Sequence, residues 1–557
     1  MRIQSSIRQR WKHSRAYLYQ ALLMTIVLPS ICMMSGTAAA EDIAFTDVTK
    51  EAGLTHVQRR QQDRMEVYFL TGGAAVGDFF GNGRADLFVT RQDDTDIMYK
   101  NMGDGTFVDV SEEVFGPDRI NAHTNGALLA DLNNNGHLDL VVSVSGGHRH
   151  LLFINDGNGK LIEQGEERGT AHAFPEDEWL THFGMGVTAG DYNNDGYLDV
   201  FINEWDRRRE TPNYRLNRPM NRLYRNRGAE APAYFDDVTK QAGLDTPKNE
   251  HGFTARFADL DMNGLMDLLV INDYGKSQYL RNQGDGTFVD VTNKMGTGTG
   301  HNEMGSTVAD YNNDGWLDWF TTSIYGGAGN GNGNRLYRNE MRWGIEGIYF
   351  SDQTDLGVRE GAWGWAPAFI DANNNGVRDL VMVNGFRDSP FEERQMRFWR
   401  NRGESDGYKF EEISSEAGLT DRGQGRGLLV ADFDNDGYQD ILVINNAAEP
   451  VLYRNNGGTN KWLRIKTVGE VSNRMGIGAF ITVIPRRSES FSMVHDVNLG
   501  GNFLAHNETT AHFGLGDLEG TVDHIHIRWP SGLEQELTNV QPNQVLTIYE
   551  RDAMADE

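Results

Sequence analysis

The sequence has almost no cysteine, no strong helical periodicity and no long hydrophobic run after residue 40. Its only cysteine is Cys32, which excludes an internal disulfide framework. Beyond residue 40 no apolar run is long enough to span a bilayer. Lys and Arg number 52 against 80 Asp and Glu, a formal charge of −28, and this acidic balance argues against nucleic acid as a partner. Walker, Rossmann and H-E-x-x-H strings are also missing, so none of these catalytic motifs indicates an enzyme.

The first 40 residues have the pattern of a secretory signal peptide. Five Lys and Arg residues precede an apolar stretch from about residue 21 to residue 34, and Ala38-Ala39-Ala40 stands before Glu41. This order is typical of a cleaved signal. A membrane anchor is the alternative, but the apolar run is short and contains Pro29. We therefore expect a secreted, periplasmic or cell-surface protein that has no transmembrane span once the signal is removed.

Instead of these features the chain has a nine-residue acidic loop that occurs seven times. Oxygen-bearing side chains stand at loop positions 1, 5 and 9, and in all copies but the first also at position 3, while position 6 is always glycine. One copy could be an ordinary solvated turn, but seven copies at intervals of 51 to 68 residues indicate stacked repeats. The loops start at Asp78, Asp131, Asp191, Asp259, Asp310, Asp371 and Asp432.

This spacing predicts calcium loops, because Ca²⁺ takes six to eight oxygen ligands and alternate residues of a tight loop point inward. We expect up to seven Ca²⁺ ions. The last loop offers four carboxylates and should bind most tightly, whereas Phe80 at position 3 makes the first site the weakest. The predicted ligands are Asp78, Asn82, Asp86, Asp131, Asn133, Asn135, Asp139, Asp191, Asn193, Asp195, Asp199, Asp259, Asp261, Asn263, Asp267, Asp310, Asn312, Asp314, Asp318, Asp371, Asn373, Asn375, Asp379, Asp432, Asp434, Asp436 and Asp440.

The segments around each loop predict four short antiparallel strands. Small and apolar residues lead into the loop, a β-branched run follows it, and two further segments such as RLYRN and FDDVTKQAGL alternate apolar and polar residues. Seven such sheets predict an all-β, seven-bladed β-propeller. The fourth-strand phrase occurs once before the first loop, at 45–54, so we expect this N-terminal strand to complete the last blade. A linear solenoid, the alternative, would not explain the displaced strand.

Two families are similar to this chain. The loops and their flanks resemble the FG-GAP/VCBS repeats of integrin-α-type seven-bladed propellers. The segments MGIGAFITV (475–483), LGGNFLAHNE (499–508), AHFGLG (511–516) and IHIRWPSG (525–532) resemble the ASPIC/UnbV domain. The combination is similar to the secreted cartilage acidic protein family and its bacterial relatives. This resemblance implies calcium binding and an extracellular or periplasmic interaction role.

The expected organisation is a signal peptide at 1–40, the propeller at 41–458 and a small β-rich ASPIC/UnbV domain at 459–551. The last domain contains five histidines within a short stretch. A transition-metal site would need three of them to converge, and ordinary hydrogen-bonded surface histidines are the alternative that we favour. The histidines are His495, His506, His512, His524 and His526.

A ligand pocket could lie around the central channel, on the face opposite the loops. Several histidines stand eight or nine residues ahead of a loop, where the innermost strands should begin, and three insertions at 203–221, 324–334 and 384–398 fall on the same face. Histidines that merely cap strands are the alternative. The candidate pocket residues are His123, His182, His251, His301, Glu303, Trp363, Trp365 and Arg426.

The sequence therefore predicts a secreted calcium-binding repeat protein that acts as a recognition or adhesion module for a protein or a glycan. An enzyme with an axial His/Trp-lined pocket and structural calcium is the alternative, for example one that catalyses a cyclisation. A purely structural matrix component is a third possibility. Fold alone does not choose among them.

Overall fold

The structure of the protein is a computed structural model. The predicted signal peptide lies outside its described residues, as do His182 and parts of the three insertions. Residues 42–557 form one compact unit. In the part of the chain that is described, no helix is both long and apolar enough to cross a membrane. The described residues are 43–555 except 59–68, 93, 117–121, 146–148, 172–182, 206–220, 247–250, 327–330, 342–348, 388–389 and 487–490.

Nearly all regular structure is β-strand. The strands that precede residue 460 are β1 (Phe45–Asp47), β2 (Ala74–Gly77), β3 (Asp86–Val89), β4 (Ile97–Asn101), β5 (Phe107–Asp109), β6 (Thr124–Ala130), β7 (Asp139–Val144), β8 (Leu151–Asn155), β9 (Leu161–Glu163), β10 (Phe183–Gly190), β11 (Asp199–Trp205), β12 (Arg222–Asn226), β13 (Phe235–Asp237), β14 (Gly252–Ala258), β15 (Asp267–Asn272), β16 (Gln278–Asn282), β17 (Phe288–Asp290), β18 (Ser306–Ala309), β19 (Asp318–Thr321), β20 (Arg335–Asn339), β21 (Phe350–Asp352), β22 (Gly364–Ile370), β23 (Asp379–Asn384), β24 (Arg397–Asn401), β25 (Phe410–Glu412), β26 (Gly425–Ala431), β27 (Asp440–Asn445) and β28 (Val451–Asn455). Short helices follow three of the outer strands: α1 (Ser111–Phe115), α2 (Gly165–Arg168) and α3 (Thr292–Met295).

These strands form seven sheets, which we number in chain order. Sheets 1 to 6 each use four consecutive strands, beginning with β2, and sheet 7 has the order β1-β28-β27-β26. The N-terminal strand β1 runs antiparallel to β28, with Phe45 opposite Asn455. The first strand of each sheet contacts the first strand of the next, and β26 contacts β2, so these contacts follow a ring. The prediction of an all-β, propeller-type fold is confirmed.

An asparagine ends the third strand of every sheet and connects neighbouring repeats. Its backbone N–H donates to Oδ1 of the position-9 aspartate of its own loop at 2.8–2.9 Å. In six of the seven sheets its Nδ2 donates to the backbone oxygen at position 2 of the preceding loop, at 2.7–2.9 Å. For Asn101 in sheet 1 that preceding loop is the seventh. The asparagines are Asn101, Asn155, Asn226, Asn282, Asn339, Asn401 and Asn455.

The phrase F-x-D-V-T at the fourth strand also has a repeated physical role. In sheet 3, Asp237 accepts hydrogen bonds from the backbone N–H and the hydroxyl of Thr239, at 3.1 and 2.6 Å. The Thr239 hydroxyl oxygen then accepts the N–H of Leu223 on the third strand at 3.0 Å. Sheets 4 and 7 repeat this arrangement with Thr292 and Thr49. The turn after each outer strand is therefore fixed to the strand beside it.

The C-terminal region forms two further sheets, with orders β33-β29-β36 and β31-β30-β34-β35. Its short strand β32 leaves them and pairs in parallel with β2 of sheet 1. One hydrophobic core joins residues of sheets 2 to 4 to C-terminal residues such as Leu463, Ile465 and Trp529. The elements are β29 (Lys461–Val468), β30 (Phe480–Ile484), β31 (Met493–Asp496), β32 (Ala505–His506), β33 (Ala511–Gly516), β34 (Val522–Arg528), β35 (Glu534–Val540), β36 (Val545–Tyr549) and α4 (Glu550–Ala555).

Replacing one strand-ending asparagine tests its role between repeats. Asn226→Ala removes donors to Leu132 O and Leu198 O and the acceptor for two backbone N–H groups. Because the orphaned groups are buried, we expect the free energy of unfolding to fall by about 3 kcal/mol, measured by urea denaturation. Asn293→Ala is the control, since Asn293 is exposed and accepts one hydrogen bond from Lys276. Equal effects of the two substitutions would contradict the assignment.

Candidate functional site

The seven acidic loops share one backbone conformation. Glycine at position 6 has a φ between 77° and 90° in every loop, as the sequence predicts. Position 4 is also left-handed in every loop, with a φ between 53° and 64°, which the sequence analysis did not anticipate. Asn and Gly, the residues that adopt this conformation most readily, occupy position 4 in all loops except the fourth, which has Met262.

The position-1 aspartate is oriented by the loop backbone. In loops 2 to 7 its Oδ1 accepts the N–H of position 5 and its Oδ2 accepts the N–H of position 6, at 2.7–3.0 Å. In the first loop Asp78 accepts the position-5 N–H at 2.7 Å. The position-9 aspartate is held by the strand-ending asparagine. Each loop therefore presents two carboxylates in fixed orientations.

These carboxyl groups lie in an unfavourable electrostatic environment. Burial raises the pKa of Asp139 to about 8 and the pKa of Asp191, Asp267, Asp310 and Asp432 to about 7. Burial raises the pKa of Asp86 and Asp371 to about 6. It also raises the pKa of four position-9 aspartates well above the usual value of an aspartate. These are Asp199, Asp318, Asp379 and Asp440. A nearby cation would favour the ionised forms.

The seventh loop brings its carboxylates closest together. One oxygen from each of Asp432, Asp434 and Asp440 lies within 4.8 Å of the others. Within the described residues this is the only group of three or more His, Cys, Asp and Glu side chains that converge in this way. A hard cation fits such an all-oxygen donor set. The sequence-based ranking, with the last loop as the tightest site, agrees with this geometry, and calcium itself stays a prediction.

The C-terminal histidines do not form a comparable group in the described part of the chain. His512 Nε2 lies 2.6 Å from Asn374 Oδ1, and His495 Nδ1 lies 3.5 Å from Arg378. His524 and His526 lie beside glutamates of β35, at 4.0 and 3.9 Å. These neighbours agree with hydrogen-bonded histidines, but His506 and His512 are buried, so the prediction of surface positions is wrong for these two, because the C-terminal domain packs against the propeller.

Asparagines at position 4 connect loops 2 to 4 with one another and loops 5 to 7 with one another. Asn134 Nδ2 donates to the backbone oxygen of Gly196 in the next loop at 2.8 Å, and Asn194 does the same to Gly264 at 2.9 Å. The fifth and sixth loops repeat this bond, at 2.9 Å, to Gly376 and Gly437. A change in one loop therefore reaches its neighbour directly.

The C-terminal domain packs on this loop surface and brings basic side chains to it. The buried Arg464 donates to Asp432 Oδ2 at 2.8 Å and binds both oxygens of Glu508. Arg528 donates to Asp259 Oδ2 at 2.8 Å, and Lys466 Nζ lies 3.1 Å from Asp78 Oδ2. The position-1 aspartates of loops 7, 4 and 1 therefore receive positive charge from a distant part of the sequence.

Gly437 illustrates how closely the two domains approach. A Cβ at Gly437 would lie about 2 Å from atoms of the Trp462 indole, with 1.9 Å as the shortest separation. The glycine of the seventh loop is thus required both by its φ of 90° and by the tryptophan packed on it.

A C-terminal segment, 498–507, lies where the first strands of all seven sheets meet. We call it the axial segment. Thr188 of sheet 3 donates to Leu499 O at 2.7 Å, and Ser306 of sheet 5 donates its N–H to Asn502 O at 2.9 Å. Strand β32 contacts the first strands of sheets 1, 2 and 7. Gly501 O accepts from Thr254 of sheet 4 at 3.4 Å, and Phe503 packs on Trp365 of sheet 6 with ring centroids 5.1 Å apart.

The axial segment occupies space near several candidate pocket residues. Trp365 is buried and donates to Gly385 O at 2.9 Å, and the Arg426 guanidinium lies 4.0 Å from the centroid of its ring. Trp363 stacks on Trp365 with an interplanar angle of 10°. The structure therefore brings Trp363, Trp365 and Arg426 together in a packed aromatic cluster, and their role as pocket residues stays a prediction.

The other candidate pocket residues are spread over the same end of the first strands. His123 and His251 directly precede β6 and β14, and His301 is exposed ahead of β18. Glu303 is buried and accepts a hydrogen bond from Thr321. Because His182 lies outside the described residues, the axial pocket as a whole stays a prediction.

Sequence reasoning missed three sets of residues: the strand-ending asparagines, the basic residues on the loop surface and the axial segment. The asparagine recurs at the end of every third strand, so the repeat pattern could have indicated it. No local pattern indicates that Arg464 reaches Asp432 or that Phe503 reaches Trp365, because these contacts join separate domains.

His506 provides a test of the axial packing through pH. Burial lowers the pKa of His506 to about 4, and its Nε2 donates to Val187 O. Because the pKa is lower in the folded state, the stability associated with neutral His506 is present above the unfolded pKa and decreases as the pH falls through that value. When the pH falls from about 7 to about 5, we expect this group to lower the free energy of unfolding by roughly 2 kcal/mol.

His506→Gln should reduce the acid-induced loss of stability, because glutamine keeps a donor and does not titrate. The measurement is the urea-unfolding free energy at both pH values. His526→Gln is the control, since His526 lies partly exposed on β34. If the two variants show the same pH dependence as the unmodified protein, His506 is not the neutral buried group described here.

Comparisons with known proteins agree with this architecture. The family model for FG-GAP-like repeats matches residues 78–142, 131–202 and 259–321, and the FG-GAP repeat model matches 424–460. The model for ASPIC and UnbV matches 469–555.

Relatives of the chain include cartilage acidic protein 1 of Homo sapiens and of Mus musculus. The human protein is 28% identical over 328 residues, which cover 57% of this chain and 46% of that protein. The mouse protein is 28% identical over 323 residues, covering 56% and 47%. The chain thus spans about half the length of these relatives. Among solved structures, the BP39L lectin from Burkholderia pseudomallei matches with a TM-score of 0.43 and 11% identity, over 70% of this chain and 98% of the lectin. The chain therefore contains FG-GAP repeats and an ASPIC/UnbV domain, and it is homologous to cartilage acidic protein 1, which matches the resemblance seen in the sequence.

Proposed function

We propose that this protein is a secreted or periplasmic recognition module, for a protein or a glycan, whose loops bind calcium. Up to seven Ca²⁺ ions would be bound, with the first loop as the weakest site. Calcium would supply positive charge that holds the loop carboxylates together, and the recognition surface would be formed by the propeller and the C-terminal domain. The repeats and the relatedness to cartilage acidic protein 1 support an extracellular-type recognition protein.

The observation that carries the calcium proposal is the repeated geometry of the loops. Loops 2 to 7 fix the position-1 carboxylate by the same two backbone hydrogen bonds, and in each of them burial raises the pKa of the position-1 and position-9 carboxyls. A buried pair of carboxylates without a cation would destabilise the folded state at neutral pH. Calcium, which accepts several carboxylate and amide oxygens in a flexible shell, fits this donor set.

The structure of the first loop agrees with its predicted place as the weakest calcium site. Phe80 supplies no oxygen, and its ring instead lies 4.6 Å from Lys100 Nζ and packs edge-on against Phe79. Lys466 Nζ is close to Asp78. Two lysines therefore lie beside the residues at positions 1 and 3 of this loop, and position 3 offers no oxygen to a metal.

The enzyme alternative depends on an open axial cavity. Phe503 and Leu504 are buried among the first strands, and Phe503 packs against both Phe253 and Trp365. This packing supports recognition by outer surfaces in preference to chemistry at the axis. His251→Ala and His301→Ala would abolish turnover if the axis were catalytic.

Calcium binding is testable by counting ions and by unfolding. We expect the thermal midpoint to fall when EGTA removes calcium, because a ligand bound only by the folded state stabilises it. Asp434→Asn should lower the number of tightly bound Ca²⁺ ions by about one, measured by equilibrium dialysis with atomic emission.

Asp78→Asn is the matched control in the first loop and should leave the tight-site count unchanged. The chelation experiment is decisive for the proposal as a whole. An unchanged midpoint after chelation, together with no bound metal in the dialysed protein, would show that the loops are hydrogen-bonded turns and not calcium sites.

A further inference from the structure

A cleft of about 260 Å³ lies between the first two loops and the C-terminal domain. Its propeller side is lined by Val76, Leu129 and Leu138, and Met475 of the C-terminal domain faces the same space. Val76 and Leu129 are buried, whereas Leu138 and Met475 are partly accessible. The cleft therefore has an aliphatic floor that a ligand could cover.

Hydroxyl groups line the rim of this cleft. Thr509, Thr510 and Tyr549 all border it and are partly exposed. Within the described residues their hydroxyls make no hydrogen bond to protein, so they can donate to and accept from a ligand. They come from two different segments of the C-terminal domain, and the fold brings them together beside the aliphatic floor.

Two basic side chains also face the cleft, although the chain is strongly acidic. Lys466 keeps 47% of its side chain exposed while it contacts Asp78, and Arg474 keeps 41% exposed. The contacts of Arg474 are long, 3.3 Å to Gly469 O and 3.7 Å to Glu470. Arg474 can therefore turn to an anionic ligand at little cost in lost contacts, and the exposed Lys466 ammonium can contact a ligand while it stays beside Asp78.

The acidic residues that border the cleft are already partnered or placed in a loop. Glu508 is bound through both of its oxygens by Arg464, which lies outside the cleft lining. Asp78 has Lys466, and Asp131 belongs to the second loop, where the proposed calcium would neutralise it. With calcium bound and Lys466 balancing Asp78, Arg474 would be left as the net positive charge of the cleft.

We propose that this cleft binds a carboxylated sugar, a uronic acid unit of a glycan. The carboxylate would pair with Lys466 and Arg474, the ring hydroxyls would bond to Thr509 and Thr510, and the C–H face of the ring would cover the aliphatic floor. This proposal deepens the recognition function proposed above and rests on it.

The combination of groups favours such a sugar over simpler anions. A phosphate ion would use the two cations but would leave the aliphatic floor and the rim hydroxyls without partners. A neutral sugar would use the floor and hydroxyls but not the cations. A uronic acid presents a carboxylate, several hydroxyls and an apolar ring face on one small unit, so it matches all three parts of the cleft.

The test is calorimetric titration of the full-length, calcium-loaded protein with D-glucuronate. We expect saturable binding, with D-glucose and methyl D-glucuronate each at least about tenfold weaker because they lack the charge. Lys466→Gln and Arg474→Gln should each weaken glucuronate binding by about fivefold or more. Arg402→Gln is the matched control, with 41% of its side chain exposed on the outer part of sheet 6, and should bind as the unmodified protein does.

Several outcomes would overturn the proposal. Absence of glucuronate binding, or equal binding of D-glucose, would exclude a uronic acid site. Inorganic phosphate binding as tightly as glucuronate would show a simple anion site, and N-acetyl-glutamate binding as tightly would indicate an acidic peptide. Calcium is counted in the same samples. If the calcium sites are filled and glucuronate does not bind, the result contradicts the uronic acid site and leaves the calcium proposal standing. A protein without calcium contradicts the calcium proposal instead.

Discussion

The hydrogen bonds between each position-9 aspartate and a strand-ending asparagine are the interactions on which the rest of the structure depends. The aspartate begins the second strand, the asparagine ends the third, and the asparagine side chain reaches the loop of the preceding repeat. One residue thus sets the register within a sheet and the spacing between sheets. Because the same bond from Asn101 reaches Phe433, the first and last repeats are connected in the same way as their neighbours.

The C-terminal domain packs on the loop surface of the propeller and also inserts its axial segment among the first strands. The axial segment supplies Asn502, whose side chain donates to Leu428 O and whose backbone oxygen accepts from Ser306. Gly305 makes room for this approach, since a Cβ there would lie 2.5 Å from Asn502 O. The central space that propellers often leave open is filled by the chain itself, which places accessible clefts at the border between the two domains.

The sequence predicted the structural features that recur in every repeat and missed the contacts that occur only once. Acidic loops, glycine at position 6 and the four-strand units were evident because seven copies carry them, and a β-strand at 45–47 followed from a phrase found in other blades. The packing of Trp462 on Gly437 and the contact of Arg464 with Asp432 occur once each. Such contacts depend on how two domains meet, and spacing along the chain does not determine that. Trp363, Trp365 and Arg426 were predicted near one another because they stand close to the starts of the first strands of two neighbouring blades, and their role in a pocket stays a prediction.

The basic residues on the loop surface and the proposed calcium ions need not compete. In the seventh loop, Asp432 Oδ2 receives Arg464 and the N–H of Gly437, whereas Oδ1 accepts only the N–H of Asp436 among its described partners. A carboxylate oxygen has two lone pairs, so Oδ1 retains capacity for a metal while the arginine stays in place. Both cations favour the ionised form of the same carboxyl group but repel each other. The remaining carboxylates of the seventh loop, Asp434, Asp436 and Asp440, would supply the negative charge that lets calcium bind while Arg464 keeps its contact with Asp432.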